Sequence, residues 1–262
     1  MLNNVRRALF CCCITLAVQN SISAWDFWPF KRNAIAAPSV KIAPVSDGNF
    51  IYFQYGGNST IQPYINSINK FLNAYDETNQ AGDVRLCEFN NPHDEGAVCV
   101  FDKVNLHVCS QQDDFGYYEG SPCVYFTLSQ VLDWIPYPLN GSDIQKPPSD
   151  AFSKMPKHLV DSIVNNEIQK PLEKYIWLTC DGDTAADKEF VGPISYYPRN
   201  GFPTYYFPFK NTEGYQSPIV AVHFERPTRA FAITVVCKAW AKNIVLDEDN
   251  GLGFVKFVLL ID

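Results

Sequence analysis

Positive charge is sparse in this 262-residue chain: no run of Lys or Arg exceeds two residues, as at Lys31-Arg32, and the formal net charge is −7. That excludes a nucleic-acid surface and a polybasic membrane patch. Long apolar runs are missing too; the longest, Ala8–Val18, is about half of the roughly 20 residues that span a bilayer. The four histidines, His93, His107, His158 and His223, stand apart with no Ser or Cys at a recognisable spacing, and read as surface or core residues rather than as part of a triad. No Cys-x-x-Cys or His-x-x-x-His pair supports a zinc site, and no glycine-rich loop supports a phosphate site. Asp181-Gly-Asp183 with Asp187 lacks the alternating ligands and terminal Glu of a calcium loop and reads as a solvated turn. No catalytic residue, metal or cofactor is expected.

What the chain has is apolar mass, 47% of residues with 15% aromatic, ample for a folded core. Its start, Met1–Arg7 followed by Ala8–Val18 and Gln19–Ala24, has the three-part layout of a secretory signal, with Ile22 and Ala24 before the cut. Residues 1–24 are therefore read as a signal peptide-like segment that carries Cys11, Cys12 and Cys13. Residues 25–44, with Trp25, Trp28, Pro29, Pro38 and Pro44, read as an extended linker, and 45–262 as the folded domain. The remaining cysteines, Cys87, Cys99, Cys109, Cys123, Cys180 and Cys237, form an even set behind a secretory signal, which reads as a disulfide framework with 15 connectivities open. Two sequons, at Asn58 and Asn140, agree with secretion and are candidate glycosylation sites.

Ile61, Tyr64, Ile65, Ile68, Phe71, Leu72 and Tyr75 recur at the spacing of one helical face, which predicts an amphipathic helix with Thr60 as its N-cap. Between Asp83 and Pro138 short apolar stretches such as Ala97–Phe101 and Cys123–Leu128, broken by Gly, Asn and Asp, predict antiparallel β structure. A short helix is expected over Pro156–Gln169, and strands over Tyr175–Thr179, Ile219–Phe224, Phe231–Ala239 and Gly253–Ile261. In the third of these, Phe231, Ile233, Val235 and Cys237 share the face directed at the core.

The stretch Ile194–Lys210 is least like an average protein. Tyr196, Tyr197, Phe202, Tyr205, Tyr206, Phe207 and Phe209 are interleaved with Pro198, Pro203 and Pro208, too much proline for a helix and too many rings for a free loop. By composition the rings either plug the core beside a sheet edge or form a rigid surface that docks a partner.

Gly116-Tyr-Tyr-Glu-Gly-Ser-Pro-Cys123, Cys180-Asp-Gly182 with Ala186-Asp-Lys188, Tyr196-Tyr-Pro198, Gly201-Phe-Pro203, Tyr205-Tyr-Phe-Pro208, Gly214-Tyr215, Pro218–Phe224, Cys237-Lys-Ala239 and Asn243-Ile244 stand in a fixed order. Over about Ala37–Asp262 the chain thereby resembles the β subunits of the sodium/potassium-transporting ATPase and of the gastric proton pump. The resemblance implies a mainly β fold, an immunoglobulin-like antiparallel β-sandwich ectodomain, with disulfides Cys87–Cys99, Cys109–Cys123 and Cys180–Cys237. In the chain-entropy picture the long loop contributes about 4 kcal/mol and each short one about 3. It also implies a non-enzymatic accessory subunit that helps the catalytic α subunit fold, reach the plasma membrane and transport cations. Tyr205, Tyr206, Phe207 and Pro208 would lie at the α contact. The family's transmembrane helix has no counterpart in residues 1–24 as read here. The second expectation is accordingly a secreted binding or adhesion module, with an extracellular protein partner, built on the same ectodomain. The catalytic aspartate of a pump's own α chain is missing: Asp187-Lys188-Glu189 is not its Asp-Lys-Thr-Gly motif.

Overall fold

The computed structural model describes residues 37–262 except 45–46, 77–81, 93–95, 149, 151 and 248–250. The signal-like segment 1–24, the first part of the linker and His93 lie outside the described residues. In chain order the elements are β1 (Val40–Ala43), β2 (Phe50–Phe53), α1 (Asn58–Leu72), β3 (Asp83–Arg85), β4 (Ala97–Cys99), β5 (Cys123–Leu128), α2 (Gly141–Gln145) and α3 (Lys157–Gln169). They continue with β6 (Tyr175–Gly182), α4 (Ala185–Phe190), β7 (Ile194–Tyr197), β8 (Gly201–Pro203), β9 (Val220–Phe224), β10 (Ile233–Trp240) and β11 (Phe254–Ile261).

Two sheets form the sandwich. One runs β1-β5-β9-β7 and the other β2-β11-β10-β6-β8, while β3 and β4 make a separate short ribbon. All pairs within the large sheets are antiparallel except β2 with β11, which is parallel. The sheets meet through fully buried rings: Phe257 of β11 lies 6.3 Å from Phe126 of β5 and 6.0 Å from Phe224 of β9, centroid to centroid. Each such ring contributes about 1.5–3 kcal/mol of burial.

Strand β6 shows why the central sheet carries so few polar residues. Its Ile176, Leu178 and Cys180 face the inter-sheet core, whereas Tyr175 and Trp177 face the other way, into a second cluster with Leu159 and Ile163 of α3 and Trp240 of β10. A strand covered on both faces has no solvent side to reserve for polar groups. Within that cover, the Trp240 indole N–H donates to Thr179 Oγ1 at 2.8 Å, which satisfies both buried groups.

Helix α1 buries Ile61, Ile65, Ile68 and Leu72, the face its spacing announces, and packs against β1 and β2. Its start differs from expectation. The helix begins at Asn58 with Gly57 as N-cap, and Thr60 sits in the first turn, donating to Gly57 O and accepting from Gln54 N.

Two further boundaries are corrected. The linker read over 25–44 ends sooner, because Val40–Ala43 is β1 and pairs with Tyr125–Leu128 of β5. Phe231 is not an inward residue of β10: the strand starts at Ile233, and Phe231, 47% exposed, packs against Phe190 with the two rings tilted and their centroids 4.4 Å apart.

Cys87–Cys99, Cys109–Cys123 and Cys180–Cys237 are disulfide-bonded. Cys180 and Cys237 are directly opposite in the β6–β10 register, so the third bridge joins neighbours within one sheet rather than one sheet to the other.

Candidate partner-binding face

The aromatic stretch folds as two short edge strands and a single helical turn. β7 pairs with β9 and β8 with β6, so Pro198 and Pro203 fall at the strand ends, where proline costs least. Thr204–Tyr206 form a 3₁₀ turn, and the chain then runs extended through Phe207.

Of the four residues singled out by the motif, the structure puts Tyr206 inside. It is 5% exposed, and its hydroxyl donates to Val100 O at 2.8 Å. Burial, reinforced by Tyr205 beside it, drives the Tyr206 hydroxyl well above the usual phenol range, so it remains a protonated donor. Tyr205 and Phe207 are half-buried and hold to neighbouring rings: Tyr205 lies edge-on to Phe89 at 4.9 Å, and Phe207 edge-on to Trp134 at 5.7 Å. Pro208 is also half-buried. The segment thus alternates an anchor, Tyr206, with flanking rings whose outer edges reach the surface.

Other tyrosines of the stretch are structural. Tyr196 is linked to β6 by accepting from Cys180 N at 2.9 Å, and burial pushes its hydroxyl up to about 12. Tyr215 meets Phe209 edge-on at 4.9 Å. Gln216, buried, accepts from Phe101 N at 3.0 Å and donates to Ala74 O at 3.2 Å, tying the end of the stretch to the helix side.

Beside Phe207–Phe209 runs the loop Val131–Tyr137. Asp133 N donates to Phe209 O at 2.9 Å, and Leu132 and Phe209 form a parallel bridge. Trp134 is buried under Phe207, but Leu132, Ile135 and Tyr137 are more than half exposed.

Among the acidic residues set aside as a turn, each has a protein partner. Asp181 pairs with Lys188 at 3.6 Å and Asp183 with Lys256 at 2.9 Å. Asp187 is buried and closes a capping box with Thr184 at the start of α4, while its other oxygen accepts from Thr234 N of β10 at 2.9 Å. Burial alone would raise its pKa, but these hydrogen bonds outweigh it and hold the carboxyl below its ordinary value. The Asp-Gly-x-x-x-x-Asp-Lys pattern is therefore a docking device for α4: a Cβ on Gly182 would lie 2.2 Å from the backbone of Asp187 and Lys188.

The candidate glycan acceptors differ in setting. Asn58 is exposed at the start of α1, its side-chain oxygen accepting from the Tyr118 hydroxyl. Asn140 is half-buried and caps α2 by accepting from Ser142 N and Asp143 N.

Residues 4–257 match the model of the sodium/potassium ATPase beta chain. The chain belongs to that family. It is 32% identical to the sodium/potassium-transporting ATPase subunit beta-2 of Drosophila melanogaster, over 94% of this chain and 81% of the fly protein. To subunit beta-1 of the same fly it is 30% identical, over 98% and 82%. To subunit beta-1 of Tetronarce californica it is 25% identical, over 87% and 76%. The beta-chain match reaches back to residue 4, well ahead of the motifs that begin the resemblance near Ala37. Among the described residues no helix is long and apolar enough to cross a membrane.

Proposed function

We propose that the chain is the non-catalytic accessory subunit of a Na⁺/K⁺-transporting P-type ATPase, at the outer face of the plasma membrane, and that it supports folding, surface delivery and cation transport of the catalytic α subunit. The family match over residues 4–257 carries this reading. In it, Tyr205, Phe207 and Pro208 touch the α subunit, while Tyr206 serves them from below as a core anchor. The half-exposure of the three flanking residues and the burial of Tyr206 support that division of labour. Asn58 and Asn140 are the proposed glycan acceptors, and the exposure of Asn58 favours it as the more accessible of the two.

The test is to express the full chain with a C-terminal tag beside a sodium-pump α subunit and to assay medium and detergent-solubilised membranes. Recovery from membranes together with α is the expected result. Recovery from the medium alone, without α, overturns the reading in favour of a secreted binding module.

A further inference from the structure

Asn58, the first residue of the sequon Asn58-Ser-Thr60, is exposed, and its Oδ1 accepts from the hydroxyl of Tyr118, 60 residues further along the chain. That bond engages the oxygen of the amide and not Nδ2, the atom that carries an N-linked sugar, and it sets Nδ2 within one amide's width of the phenol. Gln62 Oε1 lies 3.5 Å from the same hydroxyl, and Gln62 Nε2 donates to Asn66 Oδ1 at 3.1 Å. The amides of Asn58, Gln62 and Asn66, each one turn apart on α1, thus form a connected row. The exposed residues of α1 are Asn58, Ser59, Gln62, Pro63, Asn66 and Lys70, so its outer face is uncharged until the last turn, whereas a solvated helix face ordinarily carries charge. The turn that presents Tyr118 is clamped. Gly120 N donates to Tyr117 O at 3.2 Å and Ser121 N to Gly116 O at 2.9 Å, and Gly120 sits so close to Tyr55 that a Cβ there would meet the ring at 3.1 Å. A fixed phenol beside a row of uncharged amides is preorganised for a neutral ligand rich in hydroxyl and acetamide groups.

We infer that the N-linked glycan on Asn58 lies back on this surface, its first N-acetylglucosamine seated against Tyr118 and Gln62 instead of projecting into solvent, and that Tyr118 is its positioning residue. The inference rests on the reading of Asn58 as a glycan acceptor. The sequon selects the occupant, because a sugar attached at Nδ2 starts inside the surface. It arrives on a lipid pyrophosphate donor: a bond forms between Nδ2 and C1 of the sugar, the bond from C1 to the pyrophosphate oxygen breaks with its electron pair, and the amide gives up a proton. Glu119, exposed beside Tyr118, and Arg229, held over the Tyr55 ring at 3.4 Å, do not oppose a neutral sugar, whose hydroxyls both donate and accept. So placed, the sugar joins the start of α1 to the turn that leads into β5.

The test purifies the full tagged chain from secretory cells without denaturing it and treats it with a glycosidase that hydrolyses the glycan–asparagine bond and leaves an aspartate at each released site. Peptide mass spectrometry follows release at positions 58 and 140 separately. Release at 58 is expected to be several-fold faster in Tyr118→Phe, which lacks one hydrogen-bonding group, and faster again in Tyr118→Ala, with release at 140 equal in all three. Equal rates at 58 in wild type and Tyr118→Ala overturn the inference, while the glycan found there leaves the acceptor reading standing. If Asn58 of the wild type carries no glycan, the acceptor reading fails and takes the inference with it. Faster release at both positions would report general loosening of the fold and would also overturn it. Should Tyr118→Ala not form its disulfides on non-reducing migration, Tyr118→Phe and Gln62→Ala decide by the same readout: faster release at 58 alone supports the inference and unchanged release overturns it.

Discussion

The hydroxyl of Tyr206 donates to the carbonyl of Val100 across 2.8 Å, joining the aromatic stretch to the loop that follows Cys99. Tyr206→Phe removes that bond together with the hydroxyl's hydrogen bond to Tyr205 and is expected to cost about 1–3 kcal/mol. Tyr206→Ala also empties a core site and is expected to cost about 3–5 kcal/mol. Urea unfolding of the purified protein measures both. Equal stability of Tyr206→Ala and wild type would put the ring on the surface after all.

Alkaline pH is expected to unfold the domain cooperatively. Burial holds the hydroxyls of Tyr75, Tyr117, Tyr125, Tyr196, Tyr206 and Tyr215 above the ordinary phenol value. The folded state therefore keeps protons that the unfolded chain releases near pH 10, so this stabilisation is complete below about pH 10 and is lost as pH rises beyond it. Tyrosinate absorbance should appear together with loss of near-ultraviolet circular dichroism. Gradual ionisation of all tyrosines with the fold intact would contradict the burial assigned here.

Gly182→Ala should destabilise strongly, by about 3 kcal/mol or more, because the new methyl meets main chain rather than a side chain that can swing aside. Thermal unfolding is the measurement. A small effect would mean that α4 sits farther from β6.

Asp187→Asn keeps the shape of the side chain but points an amide N–H₂ at a backbone N–H that can only donate, since one carboxylate oxygen accepts from Thr184 N and the other from Thr234 N. We expect a loss of about 1–3 kcal/mol at neutral pH. The folded pKa of Asp187 is depressed, so its contribution is present above its unfolded value, near pH 4, and falls away as pH drops below it. The difference between wild type and variant should therefore narrow in acid. A constant difference from pH 7 to pH 3 would remove the charge from the explanation.

Much of the framework was legible because its signals are local. The apolar spacing from Ile61 to Leu72 specifies α1, and the run Cys123–Leu128 is β5 to the residue. Less local elements were not. Val-Lys-Ile-Ala at 40–43 lies between Pro38 and Pro44 and becomes a strand only through β5, far along the chain. β7 and β8 are too short, and too crowded by proline, for alternation to register. At the candidate face, the motif identified the right segment but not which rings point inward: Tyr206 and Phe202 are buried while Tyr205 and Phe207 reach the surface. Leu132 and Ile135 carry no sequence signal of their exposure, because an apolar residue reads as core wherever it stands. The available hint was Pro136 and Pro138, which keep the segment from joining a sheet.

In the second sheet, β2 has β11 as its neighbour, and β11 in turn borders β10. The order of biosynthesis therefore opposes the order of assembly. β2 and the helix α1 that follows it leave the ribosome early, yet the strand that gives β2 its place is translated last of the described strands. At roughly 5–20 residues per second, the early third of the domain must wait many seconds with apolar surface uncovered, accessible to chaperones and to oxidases that can join cysteines in the wrong order. Completion of the domain is thus a report that the whole ectodomain has been made, and a frameshift or stop codon anywhere ahead of β11 would leave β2 without its place in the sheet.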